Sequence, residues 1–387
     1  MTEPMRNARR GPVTPLPIRS HVDPQGPDPP ETAVSGTVTS GRDAWGWRVA
    51  WDCGGGGRSS AGPGRAAGSP PVTDRIPLVI DTDPGIDDAL AVLLALASPE
   101  VDLQLVTTVH GNVELAQTTE NALRVLHLAG RSDVPVAVGA AGPLVHPLPE
   151  RAGHVHGAAG MGGVELDPSP AAVDPRPAVV ALAELLMAHD PGTVTVAPIG
   201  PLTNIALLLA VFPEAAARIG RVVWMGGSAA RGGNVTAAAE FNAWADPEAA
   251  HAVLTSPLPV TMVGLDVTLP TVLTEAGIER FRAEGGRVGQ TAAAVLQQYV
   301  DAARNSYGIS GVCVHDALAL TEAVVPGTLG TTRRDVVVGT TLGAARGQTL
   351  ADLRAVSTAD TAVEVADTVD SEAAVEFLVG RLESYGA

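Results

Sequence analysis

The sequence predicts an α/β protein built on a single large, open, mostly parallel sheet flanked by helices, with a disordered extension at its N-terminus. From Ile76 onward, strand-sized apolar runs alternate with helix-length segments, the pattern of a parallel sheet covered on both faces. At 387 residues, 45% of them hydrophobic, the chain has enough material for one large α/β core. Residues 1–75, by contrast, are rich in Pro, Gly, Ser and Arg, include the run Gly54-Gly55-Gly56-Gly57 and keep no apolar period. The organisation expected is therefore a low-complexity extension over 1–75 and one folded domain over 76–387.

Within that domain, strands are expected over 76–82, 103–109, 134–138, 193–198, 222–225 and 260–265. Helices are expected over 87–97, 114–129, 178–189, 202–209, 247–254, 288–305 and 317–324. Trp45, Trp47 and Trp51 are the notable residues of the extension. An alternative to a translated tail is a start codon placed too far upstream, with synthesis beginning near Val72; the intact mass of natively expressed protein separates the two.

The formal charge is −17, and all 25 basic residues are Arg. Residues 1–75 hold nine Arg and seven acids, leaving 16 Arg against 35 acids in the folded part. A surface of that sign repels polyanions, so nucleic acid is excluded as a partner. No segment reaches the roughly 18 to 20 apolar residues of a membrane span, and Arg9-Arg10 is followed by Pro12, Pro15 and Pro17 instead of the apolar core of an export signal. Cys53 and Cys313 lie far apart in unlike contexts, which argues against a disulfide and for a reducing, cytoplasmic location.

The densest chemistry is Asp81-Thr82-Asp83-Pro84-Gly85-Ile86-Asp87-Asp88, where the first strand ends, Pro-Gly turns and a helix opens. Ligands of open α/β sheets bind at the carboxyl ends of strands, which is where this loop falls. Four carboxylates so close repel one another unless a cation or fixed donors compensate, and hard oxygen ligands suit Ca²⁺ or Mg²⁺. Two other readings stand beside the cation site. Asp is favoured in the first turn of a helix as a cap, and Asp-x-Asp is the arrangement of an aspartate-dependent phosphatase, although the Lys expected for its phosphate is absent.

From about Ile76 to the C-terminal region the chain resembles the inosine-uridine preferring nucleoside hydrolase family. The stretch Asp81 to Asp88 looks like the family's N-terminal signature. It is followed in order by Val109-His110-Gly111-Asn112, Gly153-His154-Val155-His156-Gly157, Pro198-Ile199-Gly200-Pro201-Leu202-Thr203-Asn204, Met225-Gly226-Gly227, Ala239-Glu240-Phe241-Asn242, Asp246-Pro247-Glu248-Ala249-Ala250, Met262-Val263-Gly264-Leu265-Asp266 and Val314-His315-Asp316. The extension has no counterpart.

The resemblance implies the nucleoside hydrolase fold and hydrolysis of the N-glycosidic bond of ribonucleosides to ribose and free base. It implies Ca²⁺ held by Asp83, Asp88, Asp316 and the carbonyl of Ile199, with Asp83 as base for a calcium-bound water and an oxocarbenium-like transition state. Position 199 is often Thr in relatives, but a main-chain ligand is indifferent to the side chain. The sugar is expected to meet Asp87 at the 2′ hydroxyl, Asn112 and Asn242 near the 3′ side, and Asn234 with Glu240 at the 5′ hydroxyl. Met225 and Phe241 are expected to pack against the nucleoside.

His315 is the expected leaving-group acid, with orientation of Asp316 as its alternative role, and His154 is a further contact for base or sugar. Purine-specific relatives place Trp where this chain has His315, so a broad or pyrimidine-leaning specificity is expected. Base-facing aromatics are expected between Tyr299 and Val312, with Tyr307 the candidate. Relatives are commonly homodimers or homotetramers, and nucleoside catabolism is the expected setting. The competing function is a non-catalytic calcium or nucleoside-binding homologue, with the phosphatase a more distant one.

Overall fold

The computed structural model describes residues 75–148, 150–307 and 310–387. Nearly all of the expected extension, with its three Trp residues and Cys53, lies outside them, as does the side chain of Tyr307.

Leu78, Val79 and Ile80 of the first strand, β1 (Ile76–Thr82), are wholly buried. Leu78 and Ile80 join one hydrophobic cluster and Val79 the other, as the two-residue period of a strand dictates when both faces are covered. The same alternation runs through β2 (Val101–Thr108), β3 (Val136–Val138), β4 (Thr195–Pro198), β5 (Arg221–Met225) and β6 (Val260–Val263). One face packs against the helices Ile86–Leu96, Leu115–Leu128 and His315–Val324, through residues such as Leu93, Leu126 and Leu318. The opposite face packs against Ala178–Ala188, Thr203–Val211 and Pro247–Leu254, through Leu182, Ile205 and Val253.

Six further strands follow: β7 (Val272–Thr274), β8 (Gly311–Cys313), β9 (Leu329–Arg334), β10 (Val336–Val338), β11 (Thr349–Ala351) and β12 (Val363–Val369). The main sheet is eight-stranded in the order β3-β2-β1-β4-β5-β6-β12-β9. Every neighbouring pair is parallel except β12 with β9. The pairs β7–β8 and β10–β11 form separate antiparallel ribbons.

The chain builds outward from β1 to β3, then returns to lay β4 on the other side of β1. The strand order therefore reverses between β1 and β4, and such a switch point opens a crevice at the strands' carboxyl ends. Asp81 stands in register with Pro198 across this boundary, and the Ile199 amide donates to the Asp81 carbonyl at 2.8 Å. This juxtaposition brings the Asp81–Asp88 segment against the Ile199–Asn204 segment. The expected strand over 260–265 ends at Val263, because Leu265 turns into the short helix Leu265–Thr268, its amide donating to the Gly227 carbonyl at 3.0 Å.

Candidate active site

The crevice holds a cavity of about 520 Å³. Beneath it sit Asp81, Asp83 and Asp88, each no more than 1% exposed. Asp88 accepts from the Gly85 amide at 2.9 Å and from the Thr82 hydroxyl at 2.6 Å, so the capping reading is realised in part: the carboxylate closes the first turn of Ile86–Leu96. Asp83 accepts from the Asn112 amide at 2.8 Å through Oδ2, while its Oδ1 is buried with no hydrogen-bond partner. A Cβ on Gly111 or Gly200 would collide with the Asp83 carboxylate. Both glycines thus exist because two other loops close directly onto this carboxylate.

Asp316, at the first turn of His315–Val324, completes the cluster: one carboxylate oxygen from each of Asp87, Asp88 and Asp316 lies within 4.8 Å of the others. A buried triad at that spacing could hold one metal ion, and the orphaned Oδ1 atoms of Asp83 and Asp87 are donors of the same hard type. Among the described residues no Arg pairs with Asp81, Asp83, Asp87, Asp88, Asp316 or Glu240. Burial is therefore the largest influence on each of these groups and outweighs the hydrogen bonds that they accept. It raises Asp81 and Glu240 to about 7 and Asp87 and Asp88 to about 6, and pushes Asp83 and Asp316 well above the usual carboxylate range, with the neighbouring acids adding repulsion at Asp83, Asp88 and Asp316.

Of the residues the sequence singles out, Asp87, Asn112, His154, Ile199, Met225, Asn234, Glu240, Phe241, Asn242, His315 and Asp316 all line the cavity, with Asp83 and Asp88 buried beside them. Several are also structural. Glu240 takes the Gly227, Asn242 and Ala243 amides and so caps the helix Phe241–Ala245. Asn242 Nδ2 donates to the carbonyls of Ile199 at 3.0 Å and Met225 at 3.1 Å, fixing β4's exit against β5's. Asn112 Nδ2 donates to the Asp83 carbonyl and to Asp88, and Asn234 accepts from the Phe241 amide.

The histidines separate into two kinds. His154 is exposed at the cavity, whereas His156, whose part the sequence reading left open, is buried against the acids. Its Nδ1 accepts from the Ile86 amide at 3.1 Å and lies 3.7 Å from Asp87 Oδ1. An Nδ1 that accepts carries no proton, and burial lowers His156 to about 4, so this contact joins a neutral ring to Asp87 and is no ion pair. His156 packs edge-on to Tyr299 with ring centroids 6.1 Å apart, and both line the cavity. Tyr299 is thus the aromatic that the 299–312 segment supplies among the described side chains. His315 is likewise lowered to about 4 by burial and stands neutral at pH 7.

The sequence profile of the inosine-uridine preferring nucleoside hydrolase family matches residues 78–376. The chain is 39% identical over 312 residues to the pyrimidine-specific ribonucleoside hydrolase RihA of Salmonella arizonae, covering 80% of this chain and 99% of the relative. It is 44% identical over 255 residues to the non-specific ribonucleoside hydrolase RihC of Salmonella paratyphi B, covering 66% and 80%. A solved structure, the purine-preferring ribonucleoside hydrolase from Gardnerella vaginalis, superposes with a TM-score of 0.76 at 33% identity over 80% of this chain and 99% of that one. No helix among the described residues is long and apolar enough to cross a membrane. With its eight-stranded sheet, acid-floored crevice and this agreement in sequence and structure, the chain belongs to the inosine-uridine preferring nucleoside hydrolase family and is an N-glycosidase.

Proposed function

We propose that residues 76–387 hydrolyse the N-glycosidic bond of ribonucleosides by a calcium-dependent route, with a broad or pyrimidine-leaning choice of base. The observation that carries this reading is the uncompensated acid cluster on the floor of a nucleoside-sized cavity whose wall bears His315 and His156. Asp83, Asp88, Asp316 and the Ile199 carbonyl would hold the ion; the three carboxylates already grouped within 4.8 Å are Asp87, Asp88 and Asp316, so Asp87 would share in it or receive the 2′ hydroxyl, and Asp83 would bring its unpartnered Oδ1. When bound, calcium would offset the carboxylates' repulsion and lower the pKa of a water.

Asp83, the acid with an unpartnered oxygen and two glycines pressed against it, takes the proton of the attacking water. The water oxygen bonds to C1′ and the C1′–N electron pair leaves with the base, whose developing negative charge His315 offsets by donating a hydrogen bond from its neutral ring; the departed base takes its proton from solvent. The carboxylates stabilise the positive charge that develops on the ribose ring. Asn112 and Asn242 serve the 3′ side and Asn234 with Glu240 the 5′ hydroxyl, while Met225, Phe241 and His154 pack around the nucleoside. The base meets His315 where purine-specific relatives place Trp, and the ring pair His156–Tyr299 stands nearby. The same reading has the enzyme working as a homodimer or homotetramer in the cytoplasm, in nucleoside catabolism, with residues 1–75 outside the catalytic unit.

The test is ribose release from uridine, cytidine and inosine, with 2′-deoxyuridine as control. Release from all three nucleosides, or faster release from the pyrimidines, is expected. The deoxynucleoside should lag by roughly 10⁴ if the 2′ partner is as demanding as a dedicated hydroxyl site. No release from any nucleoside would favour a non-catalytic binding homologue.

A further inference from the structure

The Met262–Asp266 segment and the short helix Leu265–Thr268 that follows it take no direct part in the chemistry described above, yet this helix reaches the cavity wall. Asp266 accepts the Ala229 and Ala230 amides at 2.6 and 2.9 Å, and Thr271 Oγ1 donates to the Val267 carbonyl at 2.9 Å. The Val314 amide in turn donates to the Thr271 carbonyl at 3.1 Å, which ties this segment to the one bearing His315. Thr268 is fully buried, and its Oγ1 lies 2.8 Å from Nδ1 of His315.

We propose that Thr268 is a positioning residue for the hydrolysis: its hydroxyl donates to His315 Nδ1 and so fixes the tautomer whose Nε2–H faces the departing base. The hydrogen-bond inventory decides the direction. A threonine hydroxyl carries one hydrogen, and a buried one left without an acceptor is costly. His315 Nδ1 is the partner this hydroxyl has among the described residues. Were Nδ1 the donor, the hydroxyl hydrogen would be stranded and Nε2 would offer the base only a lone pair. With Nδ1 accepting, Nε2 carries the hydrogen, and since the ring lines the cavity, Nε2 is the polar atom left for the substrate. The alignment costs no reorganisation when the C1′–N bond breaks, because the ring is held before substrate arrives.

The inference rests on the hydrolase reading, and a leaving-group comparison separates the two. Uridine and inosine expel a basic anion that needs the ring's hydrogen bond as the C1′–N bond breaks, whereas 4-nitrophenyl β-ribofuranoside releases a stable phenolate that does not. Thr268→Val keeps the shape and removes the donor. Its kcat for uridine and inosine should fall about tenfold or more, with turnover of the aryl riboside within about twofold of wild type, and Thr268→Ser should restore the nucleosides. Equal losses on both substrate types, or no recovery with Ser, would reduce Thr268 to a structural residue and overturn the proposal while leaving the hydrolase reading standing. Absence of ribose release by the wild type would instead refute the hydrolase reading. The ¹⁵N resonances of His315 test the tautomer without any turnover: a protonated Nε2 with a bare Nδ1 is expected, and the reverse would overturn the assignment.

Discussion

Glu376 and Glu383 share Arg280 on the surface, Asp174 and Glu184 share Arg176, and Asp352 holds Arg354, each within ion-pair distance of a guanidinium. In the crevice, Asp83, Asp87, Asp88 and Asp316 lie together with no Arg among their partners in the described residues, and the one imidazole that meets them, His156 beside Asp87, is neutral. These surface acids, which water could solvate unaided, are matched, and the acids that most need matching are not. The partner's charge shows in the pKa: Arg280 lowers Glu376 and the Arg176 guanidinium lowers Asp174, whereas every acid of the crevice is raised. Buried charge without a built-in counterion is an unstable arrangement for a scaffold and a sensible one for a site completed by a cation.

The contrast breaks most sharply at Asp83. Asp83→Asn keeps the shape and removes the base, so kcat for uridine should fall on the order of 10³-fold with little change in fold stability. Turnover within a few-fold of wild type would take Asp83 out of the mechanism.

A smaller effect concerns stability against pH. Asp81, Asp87, Asp88 and Glu240 titrate near 6 to 7 in the folded chain, above the ordinary carboxylate value of about 4 of an unfolded one. The folded state therefore binds more protons between those values. The stabilisation is complete below about pH 4 and lost as pH rises through 6 to 7. Chelator-treated protein should lose several degrees of thermal midpoint between about pH 5 and pH 8, and Ca²⁺ should return most of that loss at pH 8. A midpoint that rises over this range without metal would contradict the raised acids.

The least effect belongs to the matched surface. Arg280→Ala should leave turnover unchanged and move the midpoint by no more than about 3 °C, since exposed ion pairs contribute little. A loss as large as that from emptying the crevice would erase the distinction between the two sets of acids.

The sequence made the first six strands and the crevice legible because they lie where both faces are covered and apolar runs are continuous. The later elements lacked that signal. β7, β8, β10 and β11 span three residues each, and β9 is an edge strand whose Thr and Arg side chains face solvent. Ser371–Glu383 was readable in principle: Asp370 caps it, and Ala374, Leu378 and Leu382 are buried at four-residue spacing.

In the site, Asp83, Asp88, Asn242 and Asp316 were legible because each sits in a distinctive segment. The choice between His154 and His156 was not. Two residues apart on the four-residue helix Gly153–His156 they face different ways, and nothing in so short a run sets its phase. Glu240's hold on the Gly227 amide was hidden too, because Gly227 is distant in sequence.

The central claim is that the unmatched acids of the crevice exist for a cation that hydrolysis requires. The measurement closest to it is ribose release from uridine by wild-type protein before chelation, after chelation and after Ca²⁺ is added back. Loss of release on chelation and its recovery with Ca²⁺ is the expected result. Undiminished turnover in metal-free protein would contradict it.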